Sequence, residues 1–394
     1  MKKSVYTTPA GTRDRLFEEC VVRRQLEERL AALFQRRGFC EAMTPGLEFY
    51  DTVVGPMEAV PPESLYKLCD TRGRLLVLRP DSTMPIARLA ATRLQHATWP
   101  VRLYYAQDVY HMNHGLYGRR DQEFQMGVEL LGAGGQRADL EILALAAQAL
   151  KLCCGEGFRL ELGHADVFRS LMEELDAPEE ARSEIRELIE NKNYAALGNR
   201  LDMLPRSPAA EAIRRLPRLF GGEEVLAAAA SLCGNGRATA ALTYLSELYR
   251  ALCALGLRDQ VMIDLGMVHR QEYYTGVTFR GYVEGSGETV VSGGRYDRLL
   301  EQFGPPHDAT GFGLSVDSVA QVLLAKGAVP PPAPPDVLLH AMPGQETAAI
   351  REAERLTGTG VNCEVSVFDT LEAARAYAQS RGIPEVRPVE GETV

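Results

Sequence analysis

The chain has 394 residues, a net charge of −10, and 45% hydrophobic against 24% charged residues, the balance of an ordinary globular protein with length for one large domain and a smaller one. The opening stretch MKKSVYTTPAGTRD carries two lysines with no apolar segment behind them, which argues against a secretory signal, and no apolar run reaches the roughly eighteen residues that span a bilayer. The cytoplasm is the expected compartment, and the acidic balance disfavours a nucleic-acid partner unless a local basic patch is present.

Between residues 14 and 37, Val22, Leu26, Leu30, Leu33 and Phe34 recur at helical spacing, and Gly38, tolerant of a left-handed backbone, ends the helix. Residues 39–48 read as a strand entering a turn at Pro45. Further strand segments are expected at 75–78, 101–107 and 124–131, the last preceding an Ala/Leu-rich helix over 139–152. From about 165 to 255 the runs 181–190, 209–216 and 238–255 are amphipathic or Ala-rich, with Gly and Pro between them, and predict a helical insertion between two sheet-bearing halves. Strand patterns return at 261–265, 275–283 and 289–292. Residues 330–335 (PPPAPP) read as a stiff linker, and 336–394 as a small β-α-β-α segment closed by a short strand. That segment holds ten acidic residues, five arginines and no lysine, hence a charge of 5 − 10 = −5. Strands and helices interspersed with hairpins, rather than strictly alternating, predict an α+β class for the main domain, 1–329.

Eight cysteines, at 20, 40, 69, 153, 154, 233, 253 and 363, form no CxxC pair and read as small buried hydrophobes rather than disulfides or zinc ligands.

Three segments carry most of the functional information. The first is Leu78-Arg79-Pro80-Asp81-Ser82-Thr83, followed by Tyr104-Tyr105 and Gln125-Met126-Gly127-Val128-Glu129. The second is His269-Arg270-Gln271-Glu272-Tyr273-Tyr274-Thr275-Gly276. The third is Ser292-Gly293-Gly294-Arg295-Tyr296-Asp297, with Gly311-Phe312-Gly313-Leu314 after it. Gln125 and Glu129 are an even number of residues apart and share one face of a strand. A buried Gln/Glu pair beside paired tyrosines is hard to place in a core, because buried polar groups cost free energy unless satisfied. The glycine-rich segments by themselves need only build hairpins.

In this order and spacing, residues 1 to about 325 resemble the histidyl-tRNA synthetases. The resemblance implies a class II aminoacyl-tRNA synthetase-like antiparallel sheet flanked by helices, with dimerisation through the first class II motif, near Gly38–Glu48. It also implies an amino-acid pocket: Asp81 and Thr83 at the ammonium and amide contacts, Gln125 and Glu129 at the α-amino end and floor, and Tyr273, Tyr274 and the SGGRYD segment, 292–297, at the imidazole end. The adenylation cations are another matter. The family pattern Phe-Arg-x-Glu-Arg aligns with Tyr110-His111-Met112-Asn113-His114, a leading arginine aligns with His269, and a final arginine aligns with Ser318. Arg270 sits one place beyond His269, and one step along a strand turns a side chain to the other face. Each lost transition-state cation or donor costs roughly 3–4 kcal/mol, so little adenylating activity is expected to survive. His111, His114 and His269 could instead be metal ligands, but they lack Cys or carboxylate partners at ligand spacing, so no metal is expected. No other cofactor is expected either.

A synthetase fold without those arginines, ending in a short acidic segment unsuited to tRNA, resembles one branch of the family, the regulatory subunits of ATP phosphoribosyltransferase. That resemblance implies no chemistry in this chain, a short catalytic phosphoribosyltransferase as partner, and L-histidine as a feedback effector in the first step of histidine biosynthesis. The alternatives are a diverged active synthetase, or a histidine- or RNA-binding accessory protein with another partner.

Overall fold

A computed structural model describes residues 6–55, 60–113, 120–234, 236–268, 273–328 and 330–390. The chain divides into two compact units, Met1–Ala328 and Val329–Val394.

In the larger unit, helix α1 (Glu18–Arg36) buries Val22, Leu26, Leu30 and Phe34, a single stripe at i, i+4 spacing. It starts at Glu18 rather than at 14 because Phe17 holds a positive φ of 48°, and it ends at Gly38, φ 81°. The expected strand over 39–48 is split into β1 (Cys40–Glu41) and β2 (Leu47–Phe49). The bend between them is held by Arg79, whose buried guanidinium donates to the carbonyls of Thr44 and Pro45 at 2.7 and 3.2 Å. Helix α2 (Tyr50–Val53) follows, and β2 pairs antiparallel with β4 (Leu75–Leu78), which also takes β3 (Lys67–Cys69), to make a separate three-stranded sheet.

The main sheet is laid down by β5 (Val101–Tyr110), β6 (Gln122–Leu131), β7 (Phe158–His164), β8 (Phe220–Gly221), β9 (Val261–Asp264), β10 (Val277–Val283), β11 (Val291–Arg295) and β12 (Ala309–Ser315), with β1 at one edge. Its order is β1-β5-β6-β12-β11-β10-β7-β9-β8 among the described residues. The centre, β5 through β7, is antiparallel throughout, while β1–β5 and β7–β9 are parallel pairs. Helices α3 (Thr83–Arg93) and α4 (Gly135–Cys154) flank β5 and β6 in sequence. Between β7 and β9 run α5 (Ala165–Glu174), α6 (Glu179–Glu190), α7 (Tyr194–Asp202), α8 (Pro208–Arg215), α9 (Glu224–Ala230) and α10 (Gly236–Leu252), and α11 (Val316–Ala325) follows β12.

Because side chains alternate across a strand, the register sorts the central strands into two faces. Met126, Val128, Leu130, Phe279, Phe312 and Leu314 are buried on one, against α1, α4 and α11. The opposite face carries Tyr105 and Gln107, then Gln125, Gly127 and Glu129, then Gly311 and Gly313, then Ser292 and Gly294. Polar side chains therefore alternate with glycines on a sheet whose other side is largely apolar.

The cysteine expectation needs correction. Cys153 and Cys233 are buried, Cys154, Cys253 and Cys363 half-buried, and Cys20, Cys40 and Cys69 exposed. Cys20 lies off the buried stripe of α1, and Cys40 and Cys69 lie on edge strands.

In the smaller unit, β13 (Val337–Ala341), α12 (Glu346–Gly358), β14 (Cys363–Val365), α13 (Leu371–Arg381) and β15 (Glu385–Val389) form a parallel sheet of order β14-β13-β15. Alternate residues of β13 feed two small cores: Leu338 packs with Ala374, Ala378 and Ile383, and Val337 and Leu339 pack with Leu356.

Candidate functional site

Asp81 sits at the junction of β4 and α3, where its Oδ1 accepts the Met84 amide at 2.9 Å and caps the helix. The cap next door, Ser82, makes no such bond, because its hydroxyl instead accepts from Gln107 Nε2 at 2.8 Å. At the first residue of α3, Thr83 Oγ1 donates to Glu129 Oε1 at 2.8 Å. The other oxygen of Glu129 accepts a short hydrogen bond from the Tyr296 hydroxyl. Gln125 accepts from Tyr105 at 3.0 Å. Tyr105 stands directly opposite Gly127, which has no side chain to block that diagonal reach.

The glycines of β12 make room for the carboxylate and the amide. A Cβ on Gly311 would fall 1.8 Å from Glu129 Oε2 and 2.4 Å from the Val128 carbonyl, and one on Gly313 would fall 2.7 Å from Gln125. Neither space is available to any side chain. On the next strand, a Cβ on Gly294 would lie 2.8 Å from the Tyr274 ring. Tyr274 and Tyr273 pack ring to ring at 4.7 Å, and Tyr273 meets Tyr296 edge-on at 6.0 Å. Asp81, Thr83, Glu129, Tyr273 and Tyr274 thus form one cluster, which Gln125 joins through Tyr105.

Electrostatically the cluster is anionic and enclosed. Burial raises the Glu129 carboxyl to about 8; the hydrogen bonds from Tyr296 and Thr83 oppose that rise, and the Asp81 charge adds to it. Burial likewise raises Asp81 to about 6, against the pull of its backbone hydrogen bonds. Asp81 Oδ2 is buried and has no hydrogen-bond partner. The nearby arginines do not answer it: Arg88 is bidentate on Glu48 at 2.6 and 3.0 Å, and Arg79 is spent on backbone carbonyls. Burial also pushes Tyr274 up to about 12, with the Glu129 and Asp81 charges adding to it, so its hydroxyl stays protonated. Two buried carboxyl groups, tyrosine hydroxyls and a glutamine amide suit a small cationic ligand with further hydrogen-bonding nitrogens.

Tyr105 was not singled out as a site residue from sequence, and Tyr296 entered only as part of the SGGRYD segment expected at the imidazole end. Both lie inside quoted motifs, and the signal for Tyr105 is the glycine at the cross-strand position.

A second cleft, of about 480 Å³, lies along the same sheet face from Gln125 outward and is lined by His111, Asn113, Glu123, Arg280, Ser292 and Ser315 among others. His111 and Asn113 occupy the end of β5 and the turn after it, Asn113 donating to the Arg120 carbonyl at 2.8 Å. Burial lowers the His111 pKa, so the ring favours its neutral form. Ser318 is buried at the start of α11 and donates to Glu288 at 2.7 Å. His114, His269 and Arg270 lie outside the described residues. Among the described residues Arg280 is the one arginine or lysine in the cleft lining, faced there by Glu123 and Glu190, which is a poor setting for a polyphosphate. Also among the described residues, no cluster of three or more His, Cys, Asp or Glu side chains is arranged to hold a metal ion, and no helix is long and apolar enough to cross a membrane.

Comparison with known proteins bears on this geometry. The histidyl-tRNA synthetase family model matches residues 11–319. A protein of Clostridium kluyveri described as an ATP phosphoribosyltransferase regulatory subunit is 37% identical over 378 residues, covering 95% of this chain and 97% of that protein. One of Bacillus cereus with the same description is 34% identical, covering 100% and 94%. A Bacillus halodurans crystal structure, described as an ATP phosphoribosyltransferase regulatory subunit/histidyl-tRNA synthetase, superposes with a TM-score of 0.84 at 30% identity and covers 99% of both chains. Histidyl-tRNA synthetase from Nostoc sp. PCC 7120, at 20% identity, shares the fold with a TM-score of 0.75 over 96% of this chain and 90% of its own. A synthetase-like sheet with a sparse cationic cleft, and near full-length relatives of one description, place the chain in the ATP phosphoribosyltransferase regulatory subunit family, built on the class II histidyl-tRNA synthetase fold.

Proposed function

We propose that this chain performs no chemistry of its own, assembles with a short ATP phosphoribosyltransferase catalytic subunit, and relays feedback inhibition by L-histidine in the first step of histidine biosynthesis. The observation that carries the effector assignment is the unmatched pair of buried carboxyl groups. Glu129 is satisfied by neutral donors alone and Asp81 keeps one buried oxygen without any. An ammonium group supplies the missing charge and donors, and the packed tyrosines and Gln125 provide walls and an acceptor for an imidazole. Control follows if the ligated cluster favours one arrangement of the partner, a coupling of typically about 1–3 kcal/mol. Adenylate formation is not expected, since His111, Asn113 and Ser318 stand where the synthetase family holds cations or the groups that orient them. The chain is further proposed to pair with a second copy of itself through the region of the first class II motif.

The test is phosphoribosyl-ATP formation by a short catalytic subunit from the same organism, with and without this chain, over a histidine titration. The chain should raise the rate and histidine should suppress it. Glu129→Gln should keep the activation and raise the histidine concentration for half-inhibition roughly 10- to 100-fold, the worth of one charge-assisted hydrogen bond. Inhibition unchanged in that variant would sink the site, and a rate indifferent to the chain would sink the function.

A further inference from the structure

A cavity of about 290 Å³ is lined by residues of α5 and α6 together with Met267, Val268, Tyr274 and Arg298. Among the described residues its wall holds four arginines, Arg169, Arg182, Arg186 and Arg298, and one carboxylate, Glu173. The acids nearby are shared out thinly. Glu179 serves both Arg182 and Arg186, at 3.8 and 3.3 Å. Asp166 serves both Arg169 and Arg237, at 3.2 and 2.8 Å, and Glu173 is itself held by Arg237 at 2.8 Å. Among the described residues, arginines therefore outnumber carboxylates on the wall itself. Among the described residues Arg298 has no acidic partner, and Arg182 keeps its Nε–H buried without an acceptor. Such a donor is costly to leave unmet, and an oxygen-rich anion satisfies it. The remainder of the wall is apolar, with Phe168, Met172 and Met267.

We infer that this cavity is a second small-molecule site, distinct from the carboxylate cluster, for a ligand bearing a phosphate or pyrophosphate group on a compact organic body. Guanidinium groups in excess of their carboxylates clamp phosphate oxygens bidentately, and the apolar wall takes the rest of the ligand. The volume is at the lower end of what a small organic ligand fills. A polypeptide or nucleic-acid strand does not fit it. Arg169 also donates to the Tyr274 carbonyl at 2.6 Å, so an anion drawing on Arg169 bears directly on a wall of the carboxylate cluster.

The test is calorimetric titration of the full chain with inorganic phosphate, inorganic pyrophosphate and AMP, comparing wild type, Arg298→Gln, Arg182→Gln and Arg280→Gln. Arg280 belongs to the other cleft and separates the two locations. Saturable binding of at least one probe is expected, weakened ten-fold or more by Arg298→Gln and by Arg182→Gln and unchanged by Arg280→Gln. Tight binding of AMP or pyrophosphate with weak binding of phosphate identifies an organic phosphate or a diphosphate as the ligand class, rather than the free ion. Arg298 is exposed and makes no ion pair among the described residues, so its variant should fold and keeps the result readable even if Arg182→Gln does not. Absence of saturable binding by wild type, or binding abolished by Arg280→Gln and untouched by Arg298→Gln, overturns the inference. Neither outcome bears on the histidine reading, which the inhibition assay tests separately.

Discussion

Glu129 and Asp81 are acids held in a folded environment that resists their ionisation, and the sign of the consequence is fixed. A carboxyl group whose pKa rises on folding binds its proton more tightly in the fold than in the unfolded chain. Between the ordinary glutamate value and about 8 the fold keeps a proton on Glu129 that unfolding releases, so stability falls as pH rises through that window. Asp81 acts in the same direction over a lower window, ending near 6. Glu129→Gln removes the larger contribution while leaving an acceptor for Thr83 and a group beside Tyr296. Its melting temperature relative to wild type should therefore improve more at pH 8 than at pH 5, by several degrees, since about 1 kcal/mol moves the midpoint of a large domain a few degrees. A cationic ligand reverses the balance by favouring the ionised carboxylates. On the proposed reading, histidine binding at pH 7 should expel roughly half a proton or more, read from the dependence of the binding heat on buffer ionisation enthalpy. A binding heat indifferent to buffer would show that these carboxyl groups do not meet the ammonium. At this scale the sequence carried a good deal. The even spacing of Gln125 and Glu129 places them on one face by the pleat alone. What it did not carry was the unmet oxygen of Asp81, which depends on where Arg79 and Arg88 go, and both leave for partners in the small sheet and the turn before it.

Elements are tied together around the site by one buried arginine. Arg295, in β11 of the SGGRYD motif, donates to Asp139 of α4 at 2.7 Å and to Asp297 at 2.8 Å, and Tyr244 of α10 donates to the same Asp139 at 2.6 Å. Burial alone would lower the Arg295 pKa, but the Asp139 hydrogen bonds and charge outweigh it and raise the value. A sheet strand, the long helix behind it and the last helix before β9 thus meet at a fully buried carboxylate. Asp139→Asn leaves the guanidinium buried with half its charge unanswered, a loss expected to cost about 3–5 kcal/mol, measured as a lowered urea midpoint with the slope retained. A loss below about 1 kcal/mol, the range of an exposed pair, would show that the pair is not the clamp its burial implies. The motif was legible in sequence as a glycine-rich segment, but its arginine's partner lies 156 positions away, and no periodicity reports such a pairing. Longer elements were read well for a reason of the same kind. The stripe of α1 and the alternation of β5 and β6 repeat over many residues, whereas the break between β1 and β2 is imposed by Arg79, just past β4 and 35 positions from Thr44 in sequence.

Over the whole molecule the charge is −10, and residues 336–394 contribute −5 of it with five arginines and no lysine. Affinity for nucleic acid comes chiefly from lysine and arginine neutralising phosphates and releasing counterions, with a steep salt dependence as its signature. The smaller unit has the wrong balance for that work, and in its sheet the well-formed elements sit on cores of aliphatic residues rather than on a cationic face. Several arginines of the larger unit are likewise committed, Arg15 to Asp317, Arg102 to Glu141 and Arg295 to Asp139, each at 3.0 Å or closer. The arginines beside Tyr274 line a cavity of about 290 Å³, a size that suits a small molecule rather than a nucleic-acid backbone. Binding of a histidine tRNA transcript is therefore expected only in the non-specific range, roughly 10⁻⁴ M or weaker at physiological salt. Filter binding at low and at physiological salt checks this. Complex formation that fades within that interval agrees with the charge distribution. A tight complex that survives it would mean that the synthetase-like unit still recognises tRNA by shape and hydrogen bonding, and would return aminoacylation to the functions that need assaying.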